Sequence, residues 1–188
     1  EISKNRLLVI GESHYCSAKE NCCFNNNSEI KCFNFTKDIL NKYIDYKKGK
    51  VKHEKWMNTF TKFSNVFFGR RLSNIETTNF FENLSFYNYL QYPMPGPRIA
   101  PEKNQFLSSH ISFLKIVQNL KPKIIIIWGY RLWNNIPKQE FKINKLIGFE
   151  MNELNGIPII IIPHPSTKYY NYEYHKILNN KLTVANTV

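Results

Sequence analysis

The feature that most constrains the fold of this 188-residue chain is a pair of uninterrupted apolar runs. Residues 7–10 (Leu-Leu-Val-Ile) end at a glycine, and residues 157–162 (Ile-Pro-Ile-Ile-Ile-Ile) end at Pro163. An unbroken, largely β-branched run bounded by Gly or Pro is typical of a strand buried on both faces, as in a parallel sheet. The chain is therefore predicted to contain a central sheet covered on both sides.

Two further apolar segments, 84–90 and 124–128, are predicted to be strands of the same sheet. The segments between the predicted strands carry apolar residues at helical spacing. Strands that alternate with helices favour a parallel sheet. The predicted fold class is therefore α/β, a single three-layer α/β/α domain with a central, mainly parallel four-stranded sheet.

Two helical stripes are expected to face the core. The first has spacings of four, three and four and consists of Trp56, Phe60, Phe63 and Phe67. The second belongs to a helix that opens at 101–102, and its predicted buried side is Leu107, Ile111, Leu114 and Val117. Residues 155–156 (Asn-Gly) predict a tight turn before the last strand.

The charge of the chain points to a polyanionic partner. Lys and Arg number 26 and Asp and Glu 14, which gives a formal net charge of +12. A solvated basic surface or an anionic membrane face would also explain this charge, but an aromatic content of 15% favours nucleic acid, and DNA is the predicted partner. No apolar stretch approaches the roughly 18 residues of a membrane span, and no signal peptide is visible. A cytoplasmic monomer that does not enter membranes is expected.

The four cysteines crowd into one short segment, at Cys16, Cys22, Cys23 and Cys32. Their spacing matches no standard zinc pattern, so reduced thiols are favoured over a metal or disulfide cluster, and neither a metal nor a cofactor is predicted. Residues 16–35 lack periodicity and are predicted to be a long loop. Together with the basic and aromatic residues after it, this loop forms a predicted insertion at about 16–71.

Glu12 and His164 are the two candidate catalytic residues, because each directly follows the end of a predicted buried strand. In open α/β sheets, chemistry occurs just past the carboxyl ends of the strands, so the two side chains are expected to meet in one crevice. Taken alone, Glu12 is equally compatible with a helix N-terminal acid or a loop salt bridge, and His164 alone is better explained as an ordinary loop histidine. Together, a carboxylate that serves as a base or countercharge and a rigid imidazole that donates to negative charge indicate an active site.

Four segments, in chain order, resemble the uracil-DNA glycosylase superfamily. They are 11–15 (Gly-Glu-Ser-His-Tyr), 86–90 (Phe-Tyr-Asn-Tyr-Leu), 122–129 (Pro-Lys-Ile-Ile-Ile-Ile-Trp-Gly) and 164–166 (His-Pro-Ser). The resemblance extends from residue 7 to about residue 166. It implies a single α/β/α domain that flips a nucleotide out of duplex DNA and hydrolyses the bond between base and deoxyribose.

The resemblance also implies a role for individual residues. Glu12 would orient water and face the sugar, and His164 would donate a hydrogen bond to the pyrimidine oxygen as negative charge grows there. Asn88 would read the pyrimidine edge. Phe24 is the candidate for stacking on the flipped base, with Phe33 and Phe35 as alternatives. Tyr15 would form the pocket wall beside the pyrimidine C5 position, and the implied DNA contacts are Ser166, Lys168, Tyr169 and Arg98.

The first motif departs from the family pattern. Ser13 stands where some members have aspartate or asparagine, while His14 and Tyr15 replace the Pro-Gly of members with a Gly-Glu-Ala-Pro-Gly motif. Such members often hold an iron–sulfur cluster on four cysteines that are spread along the chain. Here all four cysteines lie between residues 16 and 32, so no cluster is inferred. Uracil is the default substrate, and the insertion suggests a bulkier base, such as a hypermodified cytosine of phage DNA removed as an antiviral defence.

Two other functions are compatible with the same residues. A catalytically inactive nucleic-acid binder would share the charge and the aromatic residues. A serine hydrolase would use Ser13 as nucleophile and His164 as base. Tyr15 replaces the final glycine of a nucleophile elbow, and no partnering acid is evident near His164, so the hydrolase ranks lower.

Overall fold

The computed structural model describes residues 7–15, 35–91, 93–94, 96, 99–146 and 149–185. In chain order, the strands are β1 (Leu7–Gly11), β2 (His14–Tyr15), β3 (Ser85–Asn88), β4 (Pro93–Met94), β5 (Ile124–Trp128), β6 (Phe141–Leu146), β7 (Phe149–Leu154) and β8 (Ile157–Ile162). The helices are α1 (Phe35–Lys47), α2 (Met57–Phe67), α3 (Asn74–Glu82), α4 (Lys103–Leu120), α5 (Tyr130–Asn135) and α6 (Tyr172–Ala185).

The central sheet has the strand order β3-β1-β5-β8-β7-β6. The four predicted strands are its parallel part, because β1 pairs with β3 and β5, and β5 pairs with β8, all in parallel. Strands β7 and β6 extend the sheet in antiparallel pairing. The α/β class is confirmed, whereas the predicted number of four strands was wrong: the sheet is mixed and six-stranded.

The two missed strands form the edge beyond β8. The tight turn at Asn155 and Gly156 is present and joins β7 to β8 as a hairpin. Strand β6 contains Lys142 and the exposed Ile143, so it lacks the unbroken apolar run that identified the other strands. An edge strand of this kind gives a weaker sequence signal because it pairs with a neighbour on one side only and carries charged residues.

Successive residues of β1 point to opposite faces of the sheet and enter two separate cores. Leu7 and Val9 join a cluster with residues of α1, α2, α3 and α6, which we call the aromatic face. Leu8 and Ile10 join a cluster with residues of α4 and α5, which we call the aliphatic face. Helices therefore cover both sides of the sheet, as predicted.

The aromatic stripe at 56–67 packs as expected, with Phe60 and Phe63 buried on α2. The predicted stripe on α4 was largely wrong, since Leu107 and Ile111 are 53% and 65% exposed. The buried side of α4 instead consists of Phe106, Ser109, His110, Phe113 and Val117. Both stripes satisfy helical periodicity, and the one that buries two phenylalanine rings removes more apolar area from water.

Helix boundaries follow recognisable local signals. Ser73 and Glu76 form a reciprocal capping box at the start of α3. Helix α4 ends at Leu120 and is capped by Lys121, which adopts the left-handed conformation before Pro122. No helix within the described ranges is both long and apolar enough to cross a bilayer.

Candidate active site

A cleft of about 960 Å³ opens at the carboxyl ends of β1, β5 and β8. Its walls also include six residues of the predicted insertion: Phe35, Ile39, Glu54, Trp56, Thr59 and Phe60. The sequence-predicted residues that line it are Glu12, Asn88, His164, Ser166 and Tyr169. Both candidate catalytic residues, contributed by opposite ends of the chain, therefore face the same space.

Glu12 is held at the end of β1 by backbone and side-chain contacts. Its carbonyl oxygen accepts a hydrogen bond from the Leu90 amide at 2.9 Å, which continues the pairing of β1 beyond Gly11. The Glu12 side chain is only 11% exposed. Arg131 Nε donates to Oε2 at 2.8 Å, and Arg131 Nη2 donates to Oε1. This two-pronged contact fixes the plane of the carboxylate.

Arg131 was not predicted as a site residue. It lies in the first turn of α5, two residues beyond Gly129, at the end of the central strand β5. The signal was present in the sequence, because a charged residue just past a buried strand is what identified Glu12. Gly129 permits the sharp strand-to-helix turn, since its φ of +100° is a backbone conformation that residues with a Cβ rarely adopt.

His164 is held as a neutral imidazole of defined tautomer. The backbone N–H of Ser166 donates to its Nδ1 at 3.2 Å, and the Ser166 hydroxyl lies 2.8 Å from the same nitrogen. Because Nδ1 accepts, the ring proton is on Nε2. Burial, followed by the positive charge of Arg131, lowers the pKa of His164 to about 4. At neutral pH, His164 is therefore an uncharged donor through Nε2.

The turn that carries His164 is anchored by its own backbone and by α2. The amide and the hydroxyl of Thr167 both donate to the His164 carbonyl, at 2.9 and 2.8 Å. Lys62 Nζ donates to the Thr167 carbonyl. The imidazole is thus positioned by a turn attached to a core helix, which limits its movement.

Asn88 lies at the end of β3, directly opposite Gly11 of β1. It is 8% exposed, and its Nδ2 donates to the Thr36 hydroxyl at 3.1 Å. A Cβ at position 11 would lie 2.5 Å from Oδ1 of Asn88. The glycine before Glu12 therefore gives the Asn88 amide its space beside the cleft.

His14 and Phe35 form a second wall of the cleft. Their rings stack with centroids 4.3 Å apart and an angle of 18° between planes. His14 is buried, and its two ring nitrogens lack a hydrogen-bond partner among the described residues. Burial lowers the pKa of His14 to about 4, so this ring is also neutral. Phe35, one of the alternatives for base stacking, is therefore a cleft residue.

The floor of the cleft is aromatic and continuous with the core beneath it. Phe60, Phe86 and Trp128 line the cleft, and each pair of their rings has centroids within 5.5 Å. Trp56 packs edge-to-face against Phe60 at the side of this floor, and its Nε1 donates to Glu54 at 2.8 Å. An apolar, aromatic floor with polar groups around it suits a planar, polar-edged ligand.

The remaining predicted contacts differ in where they lie. Tyr169 is 68% exposed at the rim, and Lys168 Nζ lies 5.4 Å from the centre of its ring. Ser166 is exposed beside His164. Tyr15 belongs to β2, and its side chain lies outside the described part of the structure. Also outside the described residues are Phe24, Phe33, Arg98, Cys16, Cys22, Cys23 and Cys32.

Within the described ranges, no group of three or more His, Cys, Asp or Glu residues is placed to hold a metal ion. A comparison with models of known protein families finds no match, and no curated protein matches the sequence. The functional interpretation therefore depends on the chemistry of the cleft itself.

Proposed function

We propose that this protein is a DNA glycosylase that flips out a non-standard pyrimidine and hydrolyses its N-glycosidic bond, leaving an abasic site. The observation that carries this proposal is that the Glu12 carboxylate and the neutral His164 line one cleft. Cleavage of this bond places positive charge on the sugar and negative charge on the departing base. The two side chains supply the complementary groups.

The proposed reaction uses water as the nucleophile. Glu12 accepts a proton from water while the water oxygen bonds to C1′ of the deoxyribose. The bond between C1′ and the base nitrogen breaks, and its electron pair leaves with the base. His164 donates a hydrogen bond from Nε2 to a base oxygen, where that negative charge accumulates. A neutral donor keeps its proton and stabilises the anion by hydrogen bonding.

Asn88 and the rings around it would recognise the base. The Asn88 amide both donates and accepts, which matches a pyrimidine edge, and it is nearly buried. The aromatic floor and the stacked pair of His14 and Phe35 would hold the ring of the base. The residues between 35 and 60 that line the cleft belong to the predicted insertion, so a larger, modified cytosine is the alternative substrate.

Binding of DNA is supported by the overall charge of +12 and by the rim of the cleft. Lys168 and the exposed Tyr169 follow His164 on the same loop. A cation would contact the phosphate backbone, and an aromatic ring would fill the gap left in the base stack. Removal of modified cytosines from phage DNA would make this an antiviral activity, whereas removal of uracil would be a repair activity.

The test is a base-release assay on duplexes that carry uracil, hypoxanthine, hydroxymethylcytosine or glucosylated hydroxymethylcytosine, followed by alkali to cut abasic sites. Glu12→Gln and His164→Asn are each expected to lower the release rate by about 10²-fold or more. Matched controls are Glu173→Gln on α6 and His53→Asn on an exposed loop, neither of which lines the cleft. Absence of an abasic product from every duplex would overturn the proposal.

The same assay separates the alternative functions. A nucleic-acid binder without activity would retain duplex affinity but release no base. For a serine hydrolase, Ser13→Ala would abolish ester hydrolysis, whereas a glycosylase would retain most of its base release. The contact of His164 Nδ1 with Ser166 gives Ser13 no support as a nucleophile.

A further inference from the structure

Arg131 occupies a position that makes it part of the same machinery as Glu12 and His164. It follows β5, and β5 lies between β1 and β8, the strands that end in the other two residues. The three side chains thus come from three adjacent strand ends. All three line the cleft.

The contact between Arg131 and Glu12 is directional. Both carboxylate oxygens accept from one guanidinium, through Nε and Nη2, so the carboxylate has one orientation. A carboxylate has about four acceptor sites, and the guanidinium uses two of them. The others are left for a water molecule, so the ion pair orients Glu12 without blocking its role as a base.

The same guanidinium also acts on His164, because its positive charge is the second cause, after burial, of the lowered pKa of that imidazole. Arg131 is 55% exposed, whereas the Glu12 side chain is 11% exposed. One partly exposed cation therefore contacts the buried carboxylate and influences the neutral imidazole. A charge placed there also favours negative charge on a departing base.

We propose that Arg131 is a positioning residue of this site, whose two-pronged contact orients the Glu12 carboxylate toward water and whose charge stabilises the departing base anion beside His164. The inference rests on the proposed glycosylase function. It predicts that loss of Arg131 lowers the rate of bond cleavage and leaves the affinity for DNA unchanged. A cation that only contacts phosphate would change affinity and salt dependence instead.

Single-turnover base release by the full chain tests this, with Arg131→Gln, Arg131→Lys and the control Arg70→Gln. Arg70 makes a comparable exposed pair with Glu76, and neither residue lines the cleft. Arg131→Gln is expected to slow cleavage by about 10²-fold at saturating enzyme. Arg131→Lys should recover part of this loss, because it retains the charge but not the two-pronged contact. Arg70→Gln should remain within about twofold of the unmodified protein.

The titration of His164 gives a second readout that loss of folding does not imitate. Without the positive charge of Arg131, the pKa of His164 should rise, which NMR of its ring resonances measures. The other titratable groups that line the cleft are Glu12, His14, Glu54, Tyr130 and Tyr169. An unchanged rate together with an unchanged His164 titration in Arg131→Gln would overturn the inference, as would a change confined to duplex affinity and its salt dependence.

Failure of the glycosylase proposal is distinguishable from failure of this inference. If the unmodified protein releases no base, the ring resonances of His164 can still be titrated by NMR in the unmodified protein and in Arg131→Gln. A higher pKa of His164 in the variant supports the coupling of Arg131 to this site. An identical titration in both proteins overturns the coupling, whatever the reaction is.

Discussion

The two faces of the sheet are built from different residues, and they contribute unequally to the cleft. On the aromatic face, the α2 rings of Phe60 and Phe63 contact Trp128 of β5, and this cluster extends into the floor of the cleft. On the aliphatic face, α4 and α5 cover mainly Leu and Ile side chains, and Leu132 is the described member of that cluster that lines the cleft. We therefore expect packing on the aromatic face to affect both stability and the proposed activity, and packing on the aliphatic face to affect mainly stability.

The largest expected effect comes from truncating one buried ring on each face. Phe60→Ala and Phe113→Ala each remove a ring that is at least 94% buried and should each lower the free energy of unfolding by about 3 to 5 kcal/mol. Only Phe60→Ala should also slow base release, because Phe60 lines the cleft. Denaturant unfolding and the base-release assay measure the two effects.

The milder variants Phe60→Leu and Phe113→Leu keep the protein folded if the alanine variants do not. Equal losses of activity in these two variants would contradict the distinction between the faces.

The second prediction concerns pH, because the cleft is lined by two neutral histidines, the buried His14 and the partly buried His164. The folded-state pKa values of His14 and His164 are both lowered to about 4 from 6.5. The unfolded chain therefore binds more protons between these values, and stability should fall as pH drops from about 6.5 to 4. Each imidazole contributes up to about 3 kcal/mol to this loss.

Urea unfolding between pH 4 and 8 measures the effect. His164→Asn should flatten the pH dependence by roughly half, whereas His53→Asn, which alters an exposed residue, should leave it unchanged. A slope that is the same in all three proteins would show that these histidines are not the source.

A smaller effect is expected at the rim, where Tyr169 and Tyr172 are 68% and 52% exposed. Tyr169 lines the cleft, so Tyr169→Ala should weaken binding to a duplex with a flipped base by about 1 to 2 kcal/mol. Tyr172→Ala is the matched control and should change affinity little. Fluorescence anisotropy measures the affinity for the duplex. Both substitutions are made in the Glu12→Gln background, which prevents turnover during the measurement. Equal effects of both substitutions would indicate general surface contact instead of a wedge.

The smallest effect is expected on the aliphatic face, which contains one buried polar chain. Tyr89 Oη donates to the Phe106 carbonyl at 3.1 Å and lies 3.0 Å from His110 Nδ1, and His110 Nε2 lies 2.8 Å from Glu140 Oε2. Glu140→Gln retains an acceptor but removes the charge of a 40% exposed carboxylate, so the loss of stability should be below about 1 kcal/mol. Thermal unfolding measures it, and a change in base release would contradict the separation of the faces.

Part of the site could be predicted because parallel strands place their ends together. Glu12 and His164 were found from the residues that follow two apolar runs. Arg131 follows a third run and was missed, because it lies within a short helix and its importance depends on the distance to Glu12. That distance is a property of the folded chain and not of local sequence.

The buried face of α4 and the β6–β7 hairpin are features of the fold that local sequence likewise failed to predict. Residues Leu107 and Ile111 have the spacing of a buried stripe but are exposed, because two overlapping stripes on α4 compete and the larger rings of Phe106 and Phe113 occupy the core. Both hairpin strands contain charged residues, which interrupt the apolar run, and β6 lies at the edge of the sheet.

The sequence by itself determined the α/β class, the four parallel strands, the buried rings of α2 and the meeting of Glu12 with His164. These depend on continuous apolar runs and on strand direction, which local composition encodes. The tertiary structure alone decided which stripe of α4 is buried, that the sheet has six strands, and that Arg131 holds Glu12. These depend on which surfaces compete for the same space and on which charges meet across more than a hundred residues, and only packing resolves such competition.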